Sequence, residues 1–306
     1  MYYFIVNPSS GCGKGRRVWQ LVERELKERH IPFRSCLLHG PGEARNVAAA
    51  LSDLRQPCTA VILGGDGTIN EFLDGLTAYG HIILGCIPTG SGNDFVRGLA
   101  LERDPLKALE AILHLKSVEE LKLGLVRAGE KSHTFIVSSG IGFDADVCNG
   151  VSRFGLKNLL NWFRVGKLAY LATALRLLVS MKVCPLTITL DDKESQSFDR
   201  VFFAASMNMR YEGGGFQFAP MASPSSETFQ LCLADSLTRG RILKILPLSF
   251  SGGHVGKRGI HILPFQRARI QAASPLCVHT DGEIFGFYDT ITIEALPQKL
   301  SVILSR

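Results

Sequence analysis

Residues 59–71 read Thr59-Ala60-Val61-Ile62-Leu63-Gly64-Gly65-Asp66-Gly67-Thr68-Ile69-Asn70-Glu71. A short buried-strand pattern runs into three glycines set around one carboxylate, and helical periodicity follows over 69–76. A strand that turns into a helix in this way directs backbone N–H groups at an anion, which the helix dipole also favours. With no side chains at Gly64, Gly65 or Gly67, the backbone can approach a polyphosphate closely. Asp66 can then hold the Mg²⁺ that neutralises it. The other reading of the same residues is a tight turn whose aspartate caps the following helix.

Outward from this stretch, the first 120 residues alternate strand and helix patterns. Strands are expected at 2–6, 33–38, 59–63 and 82–87, and helices at 16–30, 43–54 and 69–76. Further helices open near Asp94 and at Asp104-Pro105, an N-cap followed by proline at N1. Repeated β-α units predict an α/β layer with mostly parallel strands. After about residue 120 the pattern changes to short β-prone runs: FIVSS, LTITL, RVFFAAS, FQLCLA, ARIQA, LCVHT, TITIEA and LSVIL. Gly, Pro and Ser separate them, which predicts an antiparallel sandwich or barrel. The boundary is placed near Leu123–Leu125, giving domains of residues 1–124 and 125–306, with the C-terminal residues able to return to the first.

Two more glycine-rich loops follow strands of the first half, at the strand ends where open α/β sheets bind ligands. Asn7-Pro8-Ser9-Ser10-Gly11-Cys12-Gly13-Lys14-Gly15 resembles a P-loop but has Gly15 in place of the Mg²⁺-binding hydroxyl. It remains a turn of small residues before a helix, suited to phosphate. Pro88-Thr89-Gly90-Ser91-Gly92-Asn93-Asp94 offers hydroxyls and N–H groups to phosphate oxygens, and Asn93 or Asp94 can cap the next helix.

Composition narrows the class. The chain has 306 residues, is 46% hydrophobic and 20% charged, and carries a net charge of +6. This is globular composition, and its basicity suits anionic partners without reaching a nucleic-acid footprint. The eight cysteines are never closer than 22 residues and form no CxxC, which argues against a zinc site or redox dithiol and points to a reducing cytoplasm. Residues 157–181 are apolar but interrupted by Arg164, Lys167 and Arg176, so they read as amphipathic helix, not a membrane span.

Taken together, VNPSSGCGKG, GGDGTINEFLDGL and IPTGSGNDFVRGL resemble the diacylglycerol kinase catalytic-domain family. A fourth motif, His279-Thr280-Asp281-Gly282-Glu283, stands where that family carries its DGE. The resemblance implies a Rossmann-like nucleotide-binding α/β domain followed by an antiparallel β-sandwich, with ATP and a lipid acceptor meeting in the cleft. It implies that Asn7, Pro8, Ser9, Ser10 and Gly11, together with Gly64, Gly65, Asp66, Gly67, Thr68, Ile69, Asn70 and Glu71, line the nucleotide. Ser91 stands where the family has a nucleotide-contacting threonine, and Asp66 takes a Mg²⁺·ATP role. Asp281 and Glu283 match the DGE acids; Glu283 is favoured as general base and Asp281 as its positioning partner. The alternative for this motif is an Asp-Gly hairpin turn.

Two departures stand out. The stretch Leu38-His39-Gly40-Pro41-Gly42-Glu43 lacks the family's adenosine-contacting threonine, and Ser225-Ser226-Glu227 replaces the acids of a structural Mg²⁺ site. The expectation is an ATP- and Mg²⁺-dependent lipid kinase without a transmembrane segment, peripheral at the inner membrane surface. Arg239, Arg241, Lys244, Lys257 and Arg258 would suit docking there. The rivals are a kinase of a soluble acceptor, like the NAD kinases that share GGDGT, and a non-catalytic lipid- or nucleotide-binding protein. Acceptor identity and oligomeric state are not legible.

Overall fold

The computed structural model describes residues 1–142, 145 and 183–305. The amphipathic reading of 157–181 lies outside the described residues. Two compact units emerge: Met1–Lys122 with Pro297–Arg306, and Leu123–Leu296.

The first unit alternates β1 (Tyr2–Val6), α1 (Ser10–Glu28), β2 (Phe33–Leu37), α2 (Glu43–Leu54), β3 (Cys58–Gly64), α3 (Asp66–Gly75), β4 (Ile82–Pro88), α4 (Asp94–Gly98) and α5 (Pro105–Leu113). Strand order is β2-β1-β3-β4, and every pairing is parallel. All seven residues of β3 are buried, as expected of a central parallel strand. Phe4 and Val6 pack with Val18, Trp19, Val22 and Leu26 of α1 and Leu109 and Ile112 of α5. Val18, Trp19, Val22 and Leu26, spaced at helical period, are therefore the core face of α1. Asp104 caps α5 as its spacing predicts, accepting from Leu106 N at 3.1 Å and Lys107 N at 3.0 Å.

Helix α1 differs from its expected start. It begins at Ser10, but Gly11, Cys12 and Gly13 all have positive φ, so the regular helix starts only after them. The loop thus coils left-handed before the helix, and glycines at two of the three positions lower the cost.

Among the described residues, the second unit holds part of β5 (Ser117–Ala128), then β6 (Lys131–Phe135), β7 (Ser138–Gly142), β8 (Cys184–Leu190), β9 (Gln196–Met207), β10 (Phe229–Asp235), α6 (Arg239–Ile245), a 3₁₀ turn (Leu246–Ser251), β11 (Ile260–Phe265), β12 (Arg267–Thr280) and the first part of β13 (Glu283–Leu304). The ladders β5–β6, β7–β9, β7–β12, β8–β9, β8–β12, β9–β10, β10–β11 and β12–β13 are antiparallel. Strand β10 shows why its sequence is apolar throughout. Phe229, Leu231 and Leu233 enter one core cluster, while Cys232 and Ala234 enter the other, so both faces are covered.

Five of the expected runs come out differently. ARIQA and LCVHT both fall within the single strand β12. FIVSS breaks at Ile136–Val137, between β6 and β7, where a side chain takes over the hydrogen bonds of a strand partner. TITIEA and LSVIL join into the single 22-residue β13. That strand pairs β12 through Glu294 and pairs β4 in parallel through Ser301 and Val302.

Candidate active site

In the first unit the three glycine loops lock onto one another. Asn7 Nδ2 donates to Thr68 Oγ1 at 2.9 Å, while Asn7 Oδ1 accepts from Ser9 N and Ser9 Oγ. Ser10 Oγ donates to Asn7 O at 2.8 Å and lies 2.6 Å from Thr89 Oγ1. A hydroxyl has one proton, so Thr89 must be the donor in that second contact. Thr89 N and Gly90 N both donate to Gly64 O, joining the second loop to the third.

Glycine is required where these loops touch. A Cβ on Gly11 would sit 2.2 Å from Thr89 O, and one on Gly90 would sit 2.6 Å from Gly65 Cα. The absent side chain at Gly65, next to Asp66, therefore serves loop packing, whatever else it does. That reason was not visible in the sequence.

Asp66, the first residue of α3, reaches across to α4. Its Oδ2 accepts from Asp94 N at 3.0 Å and its Oδ1 from Phe95 N at 3.1 Å. The cap of α4 thus comes from another loop. Asn93 instead donates to Gly90 O, and Asp94 holds Arg97 at 2.6 Å. Burial and the nearby Asp66 charge push the Cys86 thiol pKa well up. Glu71 accepts from the backbone N–H of Gly42, tying α3 to the loop after β2. Asn70 is buried, Ser91 is exposed, and His39 gives only its backbone N–H, to Glu43.

Both Asp66 oxygens accept backbone N–H groups, as an ionised carboxylate does, and a carboxylate oxygen can take more than one partner. Mg²⁺ commonly binds one or two carboxylates alongside substrate phosphates, so Asp66 fits as its protein ligand. Among the described residues no group of three or more His, Cys, Asp and Glu could hold a metal. A cation at Asp66 would lean on nucleotide oxygens. Glu227 is exposed.

In the second unit Thr280 and Glu283 pair across a two-residue turn in which Asp281 (φ 49) and Gly282 (φ 83) are both left-handed. That is the hairpin geometry Asp-Gly favours. The Asp281 carboxylate accepts from Ile136 N (3.0 Å), Val137 N (2.8 Å) and Ser138 N (3.0 Å). This is the side chain that interrupts FIVSS. The carbonyls of the same segment are gripped by Asn208, whose Nδ2 bonds Ile136 O and whose N bonds Val137 O. Glu283, first residue of β13, is half-buried.

Residues 1–126 match the diacylglycerol kinase catalytic domain, and 136–304 match the YegS C-terminal NAD kinase beta sandwich-like domain. A Bacillus subtilis (strain 168) protein named "Putative lipid kinase YtlR" is 30% identical over 297 residues, covering 93% of this chain and 94% of its own. The chain belongs to the diacylglycerol kinase family. It is an enzyme, a lipid kinase. The fold of a diacylglycerol kinase from Bacillus anthracis str. Sterne superposes with a TM-score of 0.71 at 18% identity, covering 99% of this kinase and 96% of that chain. An NAD kinase from Archaeoglobus fulgidus, solved in complex with ATP, shares the fold at a TM-score of 0.56 and 14% identity, covering 100% of this kinase and 94% of that chain.

Sequence reading missed several residues of this kinase. Thr89 stood in the quoted third loop yet was not singled out. Fully buried, it bridges two loops. Glu212, His279 and Ser138 form a buried polar group behind the Asp-Gly turn. Only contact in three dimensions joins Glu212 and Ser138 to His279, since they lie 67 and 141 residues away in the chain.

Proposed function

We propose that this kinase transfers the γ-phosphoryl group of Mg²⁺·ATP to a hydroxyl of a diacylglycerol-like or sphingoid lipid. The observation that carries the reading is the interlocked set of loops at residues 7–11, 64–71 and 89–94, with Asp66 among them. Asn7 to Gly11, Gly64 to Glu71 and Ser91 bind the nucleotide, and the backbone N–H groups of the loops hold its phosphates. Bound Mg²⁺ supplies charge neutralisation on the phosphoryl oxygens. Asp66 is its protein ligand. Glu283 takes the proton of the acceptor hydroxyl as the new O–P bond forms and the γ-phosphorus leaves the bridging oxygen of ADP. Asp281 uses three of roughly four acceptor positions on backbone N–H groups, which favours it as the positioning member of the pair.

The acceptor sits in a bilayer, so the kinase docks on the inner, anionic membrane surface. From Ser236 to Thr280 the chain has no acidic residue and seven basic ones. Arg239, Arg241, Lys244, Lys257 and Arg258 are exposed there beside exposed Leu243, Leu248 and Val255. Basic residues next to exposed apolar ones suit an anionic lipid face. No helix among the described residues is long and apolar enough to cross a membrane.

Phosphate transfer from labelled ATP with Mg²⁺, offered separately to diacylglycerol, ceramide, sphingosine and phosphatidylglycerol micelles and to NAD, tests the reading. A labelled lipid supports it. Labelled NADP alone would move the acceptor to the soluble class that the NAD kinase fold likeness suggests. ATP binding without any labelled acceptor would point to a binding protein. Replacing Lys244, Lys257 and Arg258 by Ala should weaken binding to phosphatidylglycerol vesicles, with little change on neutral ones.

A further inference from the structure

The turn bearing Asp281 and Glu283 rests on a buried acid–imidazole pair. His279 is fully buried and Glu212 is 4% exposed. His279 Nε2 lies 3.3 Å from Glu212 Oε1, and Ser138 Oγ donates to the same oxygen at 2.6 Å. On the other side of the ring, Gly282 N donates to His279 Nδ1 at 3.3 Å. That bond fixes the tautomer: Nδ1 is the acceptor, so Nε2 carries the proton and donates it to the Glu212 carboxylate. Ser139 Oγ holds the carbonyl of His279 at 2.9 Å.

The hydrogen bonds therefore run from Glu212 through the imidazole to the peptide between Asp281 and Gly282, one residue before Glu283. A buried carboxylate is costly to desolvate, and apolar side chains could have filled the space more cheaply. Neither Glu212 nor His279 belongs to the loops or the DGE acids described above. We propose that Glu212 and His279 are positioning residues that set the conformation of the Asp281-Gly282 turn and so aim the Glu283 carboxylate. The inference deepens the proposed function and rests on it.

The two ring nitrogens can be replaced one at a time. His279→Asn keeps an acceptor near the Nδ1 position for Gly282 but severs the link to Glu212. His279→Gln keeps a donor near Nε2 for Glu212 but releases Gly282. Two measurements separate positioning from mere stability: kcat with the best lipid acceptor, and the melting temperature. Leaving Glu212 without its imidazole, His279→Asn should melt lower than His279→Gln. Yet His279→Gln should lose more kcat, about 10- to 100-fold, since small misplacements of a reacting group cost that much. The KM for ATP should hold in both. Hydrogen exchange at Gly282 should quicken in His279→Gln and stay slower in His279→Asn.

If kcat instead falls in the order of melting temperature, or His279→Gln keeps full turnover, the positioning role is wrong. If the native protein labels no lipid, the proposed function fails by that result. Exchange at Gly282 then still decides whether the pair holds the turn: equal exchange in both variants would overturn it.

Discussion

The loops of the first unit and the acidic turn of the second both present carboxylates, but they are supported differently. Around Asp66, backbone meets backbone: glycines at 11, 65 and 90 let three strand-to-helix turns touch, and Asp66 closes the contact by capping α4. Around Asp281, side chains from distant segments meet instead: the carboxylate replaces a strand partner for residues 136–138, and Glu212 and His279 back the turn. The first kind of support is written into short contiguous motifs. The second is assembled from residues far apart in the chain, and its members can be replaced one by one.

The comparison breaks most sharply at Asp66. Asp66→Asn keeps a cap acceptor but removes the charge, so kcat should fall on the order of a thousandfold, with the melting temperature shifted by only a few degrees. Near-normal turnover would remove Asp66 from metal binding. Asp281→Ala should act on stability first. Three backbone N–H groups lose a charged acceptor, costing on the order of 3 kcal/mol, or about 10 °C in the melting of the second unit. An unshifted melt would mean that those bonds contribute little.

Gly90→Ala sharpens the first half of the comparison. Its Cβ would meet Gly65 backbone at 2.6 Å, so the loops must part. The KM for ATP should rise about tenfold while the lipid KM holds, consistent with an overpacking cost of roughly 1–3 kcal/mol. A rise in the lipid KM alone would place the loops elsewhere in the reaction. The smallest effect concerns His254, buried in the second unit with Nε2 against Phe218 O at 3.0 Å. Burial lowers its pKa from the ordinary 6.5, so the folded ring stays neutral where the unfolded one takes a proton. Its contribution to stability is complete above pH 6.5 and is lost as pH falls below that, at up to about 1.4 kcal/mol per pH unit. His254→Gln should flatten the pH dependence of melting below 6.5; an unchanged slope would assign acid sensitivity to other groups.

Much of the first unit was legible because each element announces its own ends. The Asp104-Pro105 start of α5 and the apolar stripe of α1 are local signals. The glycine loops were legible as phosphate-type turns, but their mutual packing was not, since a one-dimensional motif cannot show that Gly11 abuts Thr89. FIVSS looked like one strand because propensity does not register a carboxylate arriving from 143 to 145 residues downstream. TITIEA and LSVIL looked like two because Pro297 falls between them. In the structure Pro297 marks where β13 passes from one compact unit to the other. His279 was quoted only as a neighbour of the DGE motif, since a lone histidine carries no signal until Glu212 is seen beside it.

The course of β13 has a consequence for synthesis. Its end, at Ser301 and Val302, supplies the strand beside β4, so the parallel sheet of the first unit lacks a member until residues 297–304 have been made. On the ribosome, the half that begins first therefore finishes last. A fragment ending at residue 122 would lack the strand that pairs β4 at Ile83 and Leu84.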